Sequence, residues 1–318
     1  MDRPLFRTPV HIVKKQTLSA KQNFLFLGSC FSEEMSAKML HAGLNVVSNP
    51  SGILFNPASI SNTLRRIFKN LLYTDDDISK SGNTYFSWNH HGSYKSDSSE
   101  ALLKITNDHL AKASEFVRDQ NVLFLTWGSS IAYKLKGSNQ VVANCHKHPG
   151  HFFDRIMLDP DEIVVDYMQL FEEIYTLHPG LKIIFTVSPV RYAKDGYIEN
   201  QISKSVLFVA LNKLLKAFPE QTSYFPAYEI VMDELRDYRF YKKDMIHPGE
   251  EAVDFIWEVL LDTYFGEADL KMISEIQNFR KMEQHRPLFP ESEAHAKFLE
   301  KLAIQQDAFI KKYPHIKL

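Results

Sequence analysis

Cysteine is scarce, with only Cys30 and Cys145 in 318 residues. Two cannot build a disulfide framework in a chain this long, so both are read as free thiols, each needing its own explanation. Charge imbalance is missing as well. Lys plus Arg number 37 against 39 Asp plus Glu, and no basic stripe interrupts the mixture, which removes the electrostatic basis for nucleic-acid capture. No apolar run approaches the roughly 18 residues of a membrane span, and the opening MDRPLFRTPVHIVKKQ lacks the continuous apolar core of a signal peptide. A cytoplasmic protein without a membrane partner is expected. Phosphate-loop and dinucleotide signatures are absent, and neither internal repeats nor low-complexity tracts occur.

What remains is an ordinary globular composition, 44% apolar and 24% charged, in a 36.8 kDa chain able to bury a sizeable core. Continuous apolar runs alternate with amphipathic stretches. Phe24–Leu27, VLFLTW from Val122 and KIIFTV from Lys182 have the pattern of strands buried on both faces, which predicts a mostly parallel sheet covered by helices. Helices are predicted from Phe31 to about Gly43, after an Asn56 cap with Pro57 in the first turn, from about Asn107 to Arg118, over Ile163–Leu177 and over Ser203–Phe218. The stripe of the Asn56 helix is read as Ile60, Leu64, Ile67, Phe68 and Leu71. A last strand is predicted in YFPAYEI. Asp75–Glu100, with YFSWNHHGSY, reads as a hairpin or excursion over the core. Residues 1–22 read as an irregular arm. Beyond Tyr264 the pattern changes to two charged helices, Ala268–Met282 and Ser292–Lys311, separated by HRPLFP. The chain therefore divides into a main domain, 1–264, and a helical extension, 265–318, expected to pack on that domain or on a partner.

The chemistry concentrates in FLFLGSCFSEEM. A buried strand, a turn-permitting Gly28 and the small polar residues Ser29 and Cys30 at a helix start are the layout of a nucleophile elbow, in which the free N–H groups and positive dipole end of the helix favour developing negative charge. A cysteine there beside a histidine can be a thiolate at neutral pH. The matching base lies in DMIHP. Asp244 and His247 are three residues apart, a separation that brings side chains together on a helical turn, so the carboxylate can accept the imidazole N–H and leave the other nitrogen facing the nucleophile.

GSCFS, together with GILFNP, VANCHK, TVSPVR, YFPAYEI and RDYRFYKKDMIHP, resembles the GSCFA family, a branch similar to the SGNH or GDSL-type esterases and acyltransferases. Ser32 stands where the family name has alanine. The resemblance implies a flavodoxin-like three-layer α/β/α sandwich, a nucleophile after the first strand, and a late Asp-x-x-His completing the triad with Asp244 and His247. The broader superfamily reads Gly-Asp-Ser at the elbow, and an ungapped placement puts Cys30 on the nucleophile and Ser29 on the aspartate. Ser29 stays as the alternative nucleophile or as a helix cap. The oxyanion hole implied by the resemblance uses Gly52 and Asn144, with Ser130 of WGSS on the ungapped alternative to Asn144.

Around these, Arg191 is a candidate for holding an anionic group, and His146 in the NCHKHPGHFF loop is a candidate substrate contact. His146, His148 and His151 lack the second Cys or His pair of a zinc finger, so no metal is expected. The expected function is an acyl ester hydrolase or O-acyltransferase acting on an acylated carbohydrate or related small substrate. No cofactor is expected, with acyl-CoA as a possible donor. The rival is a non-catalytic module of the same fold that binds its ligand through YFSWNHHGSY and the SPVR loop.

Overall fold

In the computed structural model, residues 8–15, 17–117, 121–283, 289 and 291–314 are described. Five strands form one parallel sheet: β1 (Asn23–Gly28), β2 (Asn45–Ser48), β3 (Asn121–Trp127), β4 (Lys182–Val187) and β5 (Thr222–Tyr224). Their spatial order, 2-1-3-4-5, is the flavodoxin-like winding implied by the resemblance. The chain leaves β1 toward β2 on one side and returns to pair β3 with β1 on the other. This reversal opens a crevice beyond the carboxyl ends of β1 and β3, where ligands of such sheets bind.

Strand period sorts the core into two layers. Leu25, Leu27, Leu123, Leu125, Ile183 and Phe185 point to one face, under helices α2 (Pro57–Lys69), α3 (Ser99–Phe116), α4 (Pro160–Leu177) and α5 (Tyr197–Ala217). Phe24, Phe26, Val122, Phe124 and Ile184 point to the other, under α1 (Cys30–His41), α6 (Glu250–Tyr264) and α7 (Glu267–Glu283). The Phe26 and Phe124 rings stack with centroids 4.5 Å apart, binding neighbouring strands on that face. Each such side chain contributes roughly 1.5–3 kcal/mol by leaving water. The result is the three-layer α/β/α sandwich.

Several boundaries differ from the sequence reading for local reasons. Helix α2 begins as expected, with the Asn56 side chain accepting the Ser59 N–H at 2.8 Å, but Asn70 turns left-handed and ends it, which leaves Leu71 exposed rather than in the stripe. Helix α3 starts earlier, at Ser99, whose neighbour Ser98 caps it; Arg118, its expected end, lies outside the described residues. The strand expected in YFPAYEI stops at Tyr224, and Ala227–Glu229 and Ile230–Glu234 are helical turns instead. The Asp75–Glu100 excursion carries the short antiparallel strands Ser79–Ser81, Thr84–Phe86 and Lys95–Ser96. A second antiparallel set, Ile131–Leu135, Val141–Val142 and Phe153–Met157, rises beside the crevice.

In the described part of the arm, Lys15 donates its backbone N–H to the Thr263 carbonyl and Leu18 bridges Phe265. Helix α7 packs on the main body through buried Met272, Ile273, Ile276 and Phe279, and α8 (Glu293–Lys312) stacks Phe309 on Phe279. Most of the expected HRPLFP separator, all but Phe289, lies outside the described residues. Among the described residues no helix is long and apolar enough to cross a membrane.

Candidate active site

The elbow is built by close approach. Gly28 has φ +143°, and a Cβ there would lie 2.2 Å from the Thr126 carbonyl oxygen, so no other residue fits without moving β3. Its N–H donates to Asn49 Oδ1 at 2.9 Å and its carbonyl accepts from Leu54, so the loop after β2 clamps the turn. Ser29 then takes the N-cap position of α1 but makes no side-chain capping bond. It is 1% exposed and its Oγ has no hydrogen-bond partner among the described residues. Cys30, the first residue of α1, is half-buried.

Burial pushes the Cys30 thiol above its ordinary range; the backbone N–H groups of Phe31 and Cys30, which face the sulfur, pull it down, and Glu33 and Glu34 add to the rise. The net direction is upward. The expectation of a thiolate at neutral pH is therefore corrected: the helix terminus is present, but desolvation of the sulfur outweighs it. A nucleophile at this position needs a base.

The DMIHP loop brings the expected histidine to the site, though not on a helical turn. Met245 sits at φ +58°, and the segment is a tight loop between Phe240 and α6. Asp244 Oδ1 accepts the N–H groups of Ile246 at 2.9 Å and His247 at 3.0 Å, while Oδ2 lies 2.8 Å from His247 Nδ1. The two backbone donors and the imidazole hold the Asp244 carboxyl well below the usual carboxylate range. A carboxylate only accepts, so the Nδ1 proton is on the histidine, and in the neutral imidazole Nε2 then carries the lone pair. The loop is anchored by the Gly249 N–H on the Phe240 carbonyl and by the Arg191 N–H on the Ile246 carbonyl.

Cys30, Ser29 and His247 line one cavity of about 790 Å³ at the carboxyl ends of β1, β3 and β4, at the sheet's winding reversal. Asn144 lines the same cavity. Its Oδ1 accepts the His146 N–H at 2.7 Å, which leaves the two-proton Nδ2 end as donor. Cys145 also lines this space, and burial raises its thiol as well. Phe55, Ile131, Val142 and Phe153 give the cavity an apolar side.

Four residues singled out in the sequence are placed elsewhere. Gly52 does not line the cavity: its N–H closes a turn on the Asn49 carbonyl at 2.7 Å, and its φ of +76° answers the approach of His91. His146 turns inward, with Nε2 2.9 Å from the Ser87 carbonyl and its ring against Phe86, and burial lowers its pKa to about 4. The cavity histidine of that loop is His148. Arg191 is directed away, with Nη1 3.7 Å from Met232 Sδ and its guanidinium beside the Tyr197 ring; Lys194, three residues on, lines the cavity instead. Ser130 is fully buried and tied to Ser203 rather than to the cavity. Among the described residues no group of three or more His, Cys, Asp or Glu is placed to hold a metal ion.

Lys204 is a feature missed in the sequence. It is fully buried, and its Nζ donates to the carbonyls of Gly128 and Ser188, both at 2.6 Å. Those two residues follow β3 and β4 and line the cavity, so the lysine ties together the floor beneath it. The signal was present: Asn200, Lys204, Leu207, Leu211 and Leu214 make one buried stripe of α5, with a lysine where an apolar residue belongs.

No match was found among curated proteins. Among solved structures the chain is similar to an acetyl xylan esterase, Est2A, from the rumen bacterium Butyrivibrio proteoclasticus, at 12% identity and a TM-score of 0.34, over 78% of this chain and 64% of that one. The GSCFA family signature matches residues 23–260, and that of the GSCFA domain protein, C-terminal domain, matches residues 276–318. The first of these spans all five sheet strands and every residue of the cavity, and the chain belongs to the GSCFA family.

Proposed function

We propose that the protein is an acyl ester hydrolase or O-acyltransferase with Cys30 as nucleophile. The observation that carries this reading is the convergence of Cys30 and His247 on one cavity, with His247 held by Asp244 at 2.8 Å. His247 Nε2 takes the thiol proton as the sulfur attacks the acyl carbonyl, and Asp244 stabilises the imidazolium that forms. The tetrahedral oxyanion is met by backbone N–H groups at the start of α1 and by Asn144 Nδ2. Collapse breaks the bond to the alcohol, which leaves with the proton from His247, and a thioester remains on Cys30. Water or an acceptor hydroxyl, deprotonated by His247, then attacks the thioester and regenerates the thiol. Acyl-CoA would enter the same sequence as donor, losing its thiol in place of the alcohol. An acylated carbohydrate or a related small hydroxylated compound is the substrate class we assign.

Ser29 is the second candidate nucleophile, since it lines the same cavity, but its near-complete burial favours the cysteine. Turnover of chromogenic acyl esters by wild type, Cys30→Ala, Ser29→Ala and His247→Ala tests the assignment. Loss of turnover in the first and last variants with retention in Ser29→Ala is expected. Undiminished turnover in Cys30→Ala would overturn it, and ligand binding with no turnover by wild type would favour a binding module.

A further inference from the structure

Cations around the cavity lack acidic partners. Two arginines elsewhere are neutralised: Arg65 pairs with Asp166 and Arg66 with Asp77, each at 2.6 Å. Lys194, Lys204 and Arg191 instead have no carboxylate within ion-pair distance among the described residues. Among the described residues Lys194 is the only Lys or Arg lining the cavity, and no Asp or Glu lines it. The adjacent acid, Asp195, is drawn off by Arg155 at 3.5 Å. Lys204 lies beneath the floor, with the two carbonyls and the Tyr228 ring, 5.9 Å from its Nζ, as partners. Arg191 stands behind the same loop, contacting a sulfur and a ring, and its buried Nε has no hydrogen-bond partner.

Lys194 is exposed at the cavity, Arg191 is half-buried and Lys204 fully buried behind it, and a cavity edged by cations with no carboxylate in its lining attracts anions. Burial and the neighbouring Arg191 charge together lower the Lys204 pKa, showing how poorly this region tolerates its own positive charge. We propose that the substrate carries a negatively charged group, a carboxylate or a phosphate, held against Lys194 on the cavity wall with Lys204 and Arg191 supplying field from behind. This rests on the cavity being the substrate site, as in the proposed function, but it does not require turnover.

The test uses two alkylating reagents of nearly equal size that differ by one charge. Rates of Cys30 modification by iodoacetate and by iodoacetamide, followed by peptide mass spectrometry at low salt, give a ratio to compare with that of N-acetylcysteine. The ratio in the protein is expected to exceed the free-thiol ratio by about tenfold, the scale of one uncompensated charge in partly solvated surroundings, and to fall at least as far in Lys194→Glu. A ratio equal to that of the free thiol and unmoved by Lys194→Glu would overturn the proposal, even in an active esterase. Should Cys30 react with neither reagent, thermal unfolding in inorganic phosphate and in acetate decides. A rise in Tm with phosphate alone assigns a phosphate group and with acetate alone a carboxylate, in either case abolished in Lys194→Glu; no rise with either salt overturns the site.

Discussion

Replacing Lys204 by methionine exposes how the floor of the cavity is charged. The side chain is fully buried, and burial first, then the Arg191 charge, lowers its pKa from 10.5 to about 7. An unfolded lysine holds its proton to about 10.5, so between pH 7 and that value the unfolded chain binds more protons and folding becomes more favourable as pH rises. The cost is complete below pH 7 and fades as pH climbs from there to the ordinary lysine value. At ~1.4 kcal/mol for each tenfold change, the full cost is about 5 kcal/mol, and about 4 kcal/mol of it disappears between pH 7 and pH 10. Lys204→Met removes that cost but strands the Gly128 and Ser188 carbonyls, at roughly 1–3 kcal/mol each, so the two effects nearly cancel at pH 7. The pH dependence does not cancel. Urea unfolding at pH 7 and pH 10 is expected to show wild type gaining about 4 kcal/mol relative to the variant, with titrations common to both chains subtracting out. Parallel pH curves would mean that Lys204 keeps its proton normally, and the picture of a poorly compensated positive floor would fall.

Other expectations follow from the same geometry. His247→Gln should lower kcat/KM on an acyl ester by about 10²–10⁴-fold, and the residual rate should climb roughly tenfold per pH unit near neutrality, because only spontaneous thiolate from a thiol raised by burial can then attack. A flat profile in that variant would show that His247 is not the base. Asp244→Asn keeps an oxygen for the Ile246 and His247 N–H groups while removing the charge, so kcat should fall by at least about 10²-fold in a variant that still folds, with a lower Tm; unchanged kcat would remove the carboxylate from the mechanism. Because Asp244 is held well below the usual carboxylate range, its contribution to folding is complete above that range and is lost only as pH falls beneath it, so wild-type stability should not fall with pH on this residue's account until that range is reached. Gly28→Ala should destabilise the fold by about 3 kcal/mol or more, since the new Cβ would collide with β3 backbone; a variant as stable as wild type would contradict the elbow geometry.

The sheet and its elbow were legible in the sequence because strand burial on both faces writes itself as continuous apolar runs, and Phe24–Leu27, Val122–Trp127 and Lys182–Val187 are such runs. Asp244 and His247 were legible through spacing, although the turn that joins them is made by Asp244 accepting backbone N–H groups and by a left-handed Met245, which no periodicity announces. Loop side chains were the least readable. Arg191 and Lys194 lie three residues apart after β4, and which one faces the cavity depends on how that loop crosses Ile246. The same holds for His146 and His148, whose assignment turns on positive φ at His146 and Lys147. Gly52 was recognised as a special glycine, but its freedom serves a tight approach to His91 rather than an oxyanion. The acidity of Cys30 was misjudged because helix position is visible in sequence and desolvation is not.

The central claim is that the acyl group passes through a thioester on Cys30. Brief incubation with an activated acyl ester at mildly acidic pH, followed by quenching and fragmentation of the peptide containing Ser29 and Cys30, reads this directly. An acyl mass on Cys30, released by neutral hydroxylamine and missing in His247→Gln, is predicted. An adduct on Ser29, or turnover with the label absent from both residues, would contradict it.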